Sequence, residues 1–92
     1  MRSILVTGAA GQIGTELTAA LRDSYGATSV VASDVRMPRR NDVTENGPFE
    51  LVDCTNSQQV ADVVRRYGIT TIYHLAALLS VVAEERRDDR LW

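Results

Sequence analysis

A chain of 92 residues is one small domain or a piece of a larger one, and it excludes a second full domain. Hydrophobic residues make up 45% and charged residues 24%, the composition of a chain that folds, which excludes the disordered class. A formal charge of −2, with ten basic residues dispersed along the chain, gives no general attraction for nucleic acid or an anionic membrane.

The apolar run "SILVTG" (3–8) ends in glycine and predicts a buried strand. From Gln12 to about Tyr25, Ile13, Leu17 and Leu21 recur every four residues while Glu16, Arg22 and Asp23 fall elsewhere, which predicts an amphipathic helix closed by Gly26. "SVVASD" (29–34) is a second strand, and the polar "VRMPRRNDVTENGP" after it predicts a surface loop. "FELVDCT" (49–55) is a third strand. In "NSQQVADVVRRYG", Asn56 and Gln59 have the spacing of a capping box, Val60, Val63, Val64 and Tyr67 form the apolar face, and Gly68 ends the helix. "TTIYHLAA" (70–77) is a fourth strand, on which His74 alternates with Ile72 and Ala76 and reads as a core histidine with a satisfied nitrogen. "EERRDDR" (84–90) reads as a solvated segment. Strands alternating with helices predict an α/β chain with a parallel sheet, because parallel neighbours need crossovers that helices supply.

This context gives three glycines their meaning. Gly8, Gly11 and Gly14 follow a strand and open a helix, so the turn can be tight, the backbone can approach a pyrophosphate, and the helix can pack against the strand. The N–H groups near Gln12 and Ile13 then face the phosphates, with the helix dipole adding roughly 0.3–1 kcal/mol. Two residues separate the first pair of glycines where the usual dinucleotide fingerprint has one, so the spacing alone also suits a glycine-rich turn that binds nothing. Asp34 lies 20 residues beyond Gly14, at the end of the second strand, where the fingerprint places an acid against the adenosine ribose. That acid favours NAD over NADP, since a carboxylate about 4 Å from a phosphate charge is opposed by roughly 4 kcal/mol at an effective dielectric near 20. Arg36, Arg39 and Arg40 pull the other way, as candidates to receive a 2′-phosphate.

All ten basic residues are arginine. Without lysine there is no P-loop and no Schiff-base chemistry in this chain. A single histidine gives no metal pair, and no metal site is expected. Cys54 has no partner for an internal disulfide and reads as a small packed residue. Together with an N-terminal apolar run too short for a signal peptide and no stretch long enough to span a bilayer, it places the expected chain in the cytoplasm.

"TGAAGQIG", "SDVR", "GPFELVDCT" and "IYHLAALLS", in that order, resemble the extended short-chain dehydrogenase/reductase superfamily. Within it they are similar to the NAD-dependent L-threonine 3-dehydrogenases, which are related to nucleotide-sugar 4-epimerases. The resemblance implies a Rossmann-like sheet with covering helices over 1–92, the N-terminal part of a doubly wound NAD-binding domain whose remainder and substrate region are absent. It implies that Gly8, Gly11, Gln12 and Ile13 line the pyrophosphate, that Asp34, Val35 and Arg36 surround the adenosine ribose, and that Asp53 and Cys54 lie beside the adenine. Leu75, Ala76 and Ala77 match small residues over which the cofactor passes, and Ser80 matches a serine near the substrate.

The chain departs from the family in one respect that bears on chemistry. The superfamily takes the substrate's hydroxyl proton with a tyrosine assisted by a lysine four residues later, and none of Tyr25, Tyr67 and Tyr73 stands in such a pattern. No catalytic acid or base is therefore expected here. The expected function is the NAD-binding part of an L-threonine 3-dehydrogenase-like oxidoreductase, catalytically incomplete, with L-threonine a partner only of a complete protein. A nucleotide-sugar epimerase or dehydratase fragment and a noncatalytic dinucleotide-binding module are the alternatives. Apolar residues near Leu78, Leu79, Val81 and Val82 would lack a cover, which predicts self-association.

Overall fold

Among the described residues four short strands, Ile4–Thr7 (β1), Val30–Asp34 (β2), Phe49–Leu51 (β3) and Thr71–His74 (β4), form one sheet in the order β3-β2-β1-β4. The computed structural model describes residues 3–38 and 42–75. Every pairing is parallel, with Ile4 opposite both Val30 and Thr71, and Ala32 opposite Phe49. The expected α/β architecture is thus the observed one. β1 and β2 lie in the middle and are covered on both faces, which is why they read as continuous apolar runs.

Alternation along the strands separates two cores. Ile4, Val6, Val30 and Ala32 pack with Ala9, with Leu21 of the helix Gln12–Tyr25 (α1) and with Val43 of the short helix Asp42–Glu45 (α2). Leu5 and Val31 face the other way, onto Val52 and onto Val63 of the helix Ser57–Tyr67 (α3). Gly26 and Gly68 end α1 and α3 with the backbone N–H donated to the Arg22 and Val64 carbonyls.

Several sequence expectations need correction. β3 stops at Leu51 instead of running to 55, because the chain from Asp53 turns into α3, with the Asn56 N–H donating to the Asp53 carbonyl at 2.9 Å. β4 ends at His74, and of the expected continuation to 77 only Leu75 lies within the described residues. The segment expected to be only surface loop contains α2, whose Val43 is 2% exposed. Asn56 does cap α3, its Oδ1 accepting from the Gln58 and Gln59 N–H groups. Gln59 does not close a capping box, however, since its Oε1 accepts from the Asp53 N–H at 2.8 Å. Val63 is the buried residue of α3, with Val64 only partly buried.

The stripe expected on α1 is rotated. Ile13 is 57% exposed, and the buried positions are Gly14, Thr15, Thr18, Leu21 and Arg22. A helix comes closest to a strand where it carries no side chain, so α1 seats itself on Gly14 and brings Thr18 and Arg22 inward with it. Arg22, expected off the packed face, becomes a clamp. Its Nε donates to the Val30 carbonyl, its Nη1 to that of Val43 at 2.6 Å, and its Nη2 to those of Val30 and Pro48. Burial pushes its pKa down.

His74 is exposed, and so is Ile72 on the same face at 47%. The expected core histidine is corrected: α3 packs over Leu5 and Val31 of β1 and β2 and leaves that face of β4 open. The satisfied nitrogen holds, with His74 Nδ1 lying 2.8 Å from Thr7 Oγ1.

Candidate functional site

The glycine turn is built where β1 hands the chain to α1. Gly8 takes φ +75°, a conformation that side-chain-bearing residues rarely adopt, and the Ala9 N–H then donates to the Ser33 carbonyl at 2.9 Å. Gly14 is needed for contact, not for its dihedral angles: a Cβ there would stand 2.2 Å from the Gly8 carbonyl oxygen and 2.7 Å from Ala9 Cα. The turn and the helix therefore touch backbone to backbone.

Gly11 occupies the N-cap of α1 with no side-chain hydrogen bond, and no acidic residue stands in the first turn. Gln12 and Ile13 are exposed beside it. The first turn of α1 thus carries no anionic side chain of its own, in the way a phosphate-binding helix start requires. Thr15, which sequence reasoning did not single out, steadies the turn, its Oγ1 donating toward the Gly11 carbonyl at 2.7 Å and the Ala9 carbonyl at 3.1 Å. Its signal was a hydroxyl directly after the third glycine.

Asp34 is brought to this turn because β2 pairs directly with β1. Its Oδ2 accepts from the Ala10 N–H at 2.9 Å and its Oδ1 from the Val35 N–H at 2.7 Å. Each carboxylate oxygen retains acceptor capacity, so the group can tie the turn to the strand and still receive ribose hydroxyls. Val35, 70% exposed, and Arg36 lie at the rim.

The Val52 N–H donates to the Asp34 carbonyl at 2.9 Å, which sets Asp53 and Cys54 on the neighbouring loop. Asp53 Oδ1 accepts from the Thr55 N–H at 3.0 Å and from Thr55 Oγ1 at 2.6 Å. Those bonds hold the Asp53 carboxyl below the usual carboxylate range, the hydroxyl contributing most. Cys54 is a half-buried free thiol. Leu75 packs against the Ile4 and Val6 core. Ala76, Ala77 and Ser80 lie outside the described residues, as do Arg39, Arg40 and the apolar residues expected to drive self-association. The structure therefore gathers Gly8, Gly11, Gln12, Ile13, Gly14, Asp34 and Val35 at one end of the sheet, with Asp53 and Cys54 following from β3.

Among the described residues no group of three His, Cys, Asp or Glu side chains is placed to hold a metal ion, and no helix is long and apolar enough to cross a membrane. What the turn fits is a dinucleotide: a backbone cradle closed by Gly14, an open helix start and an acid at the end of β2.

Comparison with known proteins agrees. The chain is similar to the L-threonine dehydrogenase of Clostridium difficile at 44% identity and a TM-score of 0.75, over 80% of this chain and 23% of that one. It is similar to the GalE-like L-threonine dehydrogenase of Cupriavidus necator, solved in its holo form, at 42% identity and a TM-score of 0.72, over 79% and 23%. An uncharacterized epimerase/dehydratase of Staphylococcus epidermidis is 44% identical over 86 residues, which are 94% of this chain and 27% of that protein. The chain thus spans about a quarter of the length of these relatives. The sequence profile of the NAD dependent epimerase/dehydratase family matches residues 4–92. A backbone cradle, an acid at the end of β2 and this match lead to one conclusion, that the chain belongs to the NAD dependent epimerase/dehydratase family.

Proposed function

We propose that this chain is the NAD-binding part of an L-threonine 3-dehydrogenase-like oxidoreductase. The observation that carries the reading is the meeting of Gly14 with the Gly8 carbonyl and of Asp34 with the Ala10 N–H, which sets a backbone cradle and a ribose acceptor side by side. Gly8, Gly11, Gln12, Ile13 and Gly14 hold the pyrophosphate, while Asp34, Val35 and Arg36 surround the adenosine ribose. Asp53 and Cys54 flank the adenine; Asp53 can do so because the Thr55 bonds engage only Oδ1. Leu75, Ala76 and Ala77 lie along the path to the nicotinamide, and Ser80 is a substrate contact.

In the complete protein L-threonine is oxidised at its 3-hydroxyl to 2-amino-3-oxobutanoate, with NAD as the hydride acceptor. This chain binds and orients; it has no lysine to assist a catalytic tyrosine. The staphylococcal relative, an uncharacterized epimerase/dehydratase at the same 44% identity as the Clostridium enzyme, supports an epimerase or dehydratase as the second reading, with a nucleotide sugar as its substrate class. Joining the chain to the remainder of a threonine dehydrogenase and finding no threonine-dependent NADH formation would favour it. Self-association through apolar residues after β4 belongs to the same proposal, and sedimentation of the pure chain as a monomer argues against it.

Calorimetric titration of the 92-residue chain with NAD and NADP, beside Asp34→Ala, tests the cradle. The expected outcome is NAD binding tighter than NADP binding and weakened about tenfold in the variant, the effect of losing hydrogen bonds to a charged acceptor. A folded chain that binds neither dinucleotide would remove the proposal.

A further inference from the structure

A second polar site lies along α1, away from its N-terminus. A cavity of about 320 Å³ opens between α1 and the segment that leads through α2 to β3, lined by Thr15, Thr18, Arg22, Asp23, Val43 and Asn46 among others. In the described part of the β2–β3 crossover the helix beside this flank of α1 is only the four-residue α2. The volume of the cavity accommodates several water-sized groups.

Two of the lining residues bring hydrogen-bond donors that have no acceptor among the described residues. Arg22 is 7% exposed, and among the described residues no carboxylate pairs with it. Its acceptors are the carbonyls of Val30, Val43 and Pro48, which take four hydrogen bonds. A guanidinium has five N–H groups, so one remains, on Nη1. The hydrogen-bond partners of Arg22 among the described residues are carbonyls alone, although buried charges are ordinarily paired. Thr18 is 1% exposed, and its Oγ1 has no hydrogen-bond partner. Such a hydroxyl costs about 1–3 kcal/mol when left unsatisfied.

A buried cation without an anion and a buried hydroxyl without an acceptor call for the same ligand chemistry. We propose that this cavity binds a small oxyanion, with the spare Arg22 N–H and the Thr18 hydroxyl as donors and Asn46 at its wall. The shared chemistry is the anionic oxygen of a phosphate or a carboxylate. Asp23, which also lines the cavity, opposes the charge and keeps the affinity modest. Because Arg22 also holds the β2–β3 crossover through three carbonyls, the anion compensates the charge of that clamp, and binding stabilises the fold.

Amide chemical shifts of the 92-residue chain, followed through titrations with inorganic phosphate and separately with acetate, test this and separate the two sources. Saturable shifts at Thr18, Arg22, Val43 and Asn46 are expected for at least one of them. Thr18→Val should weaken binding about tenfold, and Asp23→Asn should tighten it about threefold, the direction set by removing a like charge from a mostly solvated rim. Thr18→Val keeps the shape of the side chain and deletes an unpartnered hydroxyl, so the variant should melt no lower than the parent. Shifts confined to Gly8–Ile13, no saturable response to either anion, an affinity unchanged by Thr18→Val, or a Thr18→Val variant that fails to fold would each overturn the proposal.

Discussion

The two crossovers on the α1 face of the sheet are held by opposite means. Between β1 and β2 the chain uses a fourteen-residue helix, seated backbone to backbone at Gly14 and fastened by apolar packing through Leu21. Between β2 and β3 it uses a four-residue helix whose one buried apolar residue is Val43, and the fastening is a guanidinium bonded to three carbonyls. The first crossover presents the glycine turn and the second delivers Asp53 to the same end of the sheet. A crossover too short to bury much apolar surface can therefore be held by one polar side chain that gathers its backbone acceptors.

The comparison breaks most severely at Gly14. A valine there places atoms within 2.2 Å of the Gly8 carbonyl, where only backbone can give way, so Gly14→Val should destabilise the chain by about 3 kcal/mol or leave it unfolded. Denaturant unfolding measures this, and a variant as stable as the parent would show that α1 does not rest on Gly14.

Arg22→Met tests the other crossover. It removes the guanidinium donors from the carbonyls of Val30, Val43 and Pro48, the last of which keeps the Ala32 N–H at 3.0 Å, and the expected loss is about 2–3 kcal/mol. Gly47→Ala probes the same clamp from the outside, since the added Cβ would lie 2.5 Å from Arg22 Nε and 2.7 Å from the Ala27 carbonyl. The two substitutions should be non-additive: removing the guanidinium relieves part of the Gly47→Ala penalty, and the Ala27 contact retains the rest. Strict additivity in a double-mutant cycle would separate Gly47 from the clamp.

Smaller effects sharpen the contrast with α3, on the opposite face. Asn56→Ala removes the cap that accepts from the Gln58 and Gln59 N–H groups and should cost about 1 kcal/mol in thermal or denaturant unfolding. Glu50 ties β3 to α3, accepting from the Tyr67 hydroxyl at 2.6 Å and pairing with Arg66 at 3.1 Å. The Tyr67 bond, then Arg66, holds the Glu50 carboxyl below its ordinary range. A lowered carboxyl pKa stabilises the fold above the unfolded-state value and loses that contribution as pH falls through the folded-state value. The parent should therefore lose its advantage over Glu50→Gln on acidification through and below the usual carboxylate range. The margin at neutral pH should be under about 1 kcal/mol, because the pair is partly solvated. Parallel stability curves for the two proteins from neutral pH into acid would contradict this.

Much of the site was legible in one dimension because its parts are local. Gly8, Gly11 and Gly14 sit within one turn, and the close approach they permit follows from the missing Cβ whatever surrounds it. Asp34 was legible by its spacing, since one helix and one strand of ordinary length return the chain to the neighbouring strand's end. Arg22 was not legible, because its acceptors are carbonyls 8, 21 and 26 residues away, and a carbonyl carries no side-chain signature. The capping role of Gln59 was misplaced for a related reason: the Asp53 N–H competes for the same amide oxygen.

The sequence by itself determined the alternation of strands and helices, the bounds of α1, the end of α3 at Gly68 and the place of the glycine turn. Hydrophobic period, caps and absent side chains act over a few residues and need no partner elsewhere. Only the tertiary structure decided that β1 lies between β2 and β4, that α1 rotates Ile13 outward and Arg22 inward, and that His74 faces an open side of the sheet. Those outcomes depend on which surfaces meet. A helix turns to the angle that brings its glycine against the strand, and a strand's face is buried only where a helix reaches across to cover it.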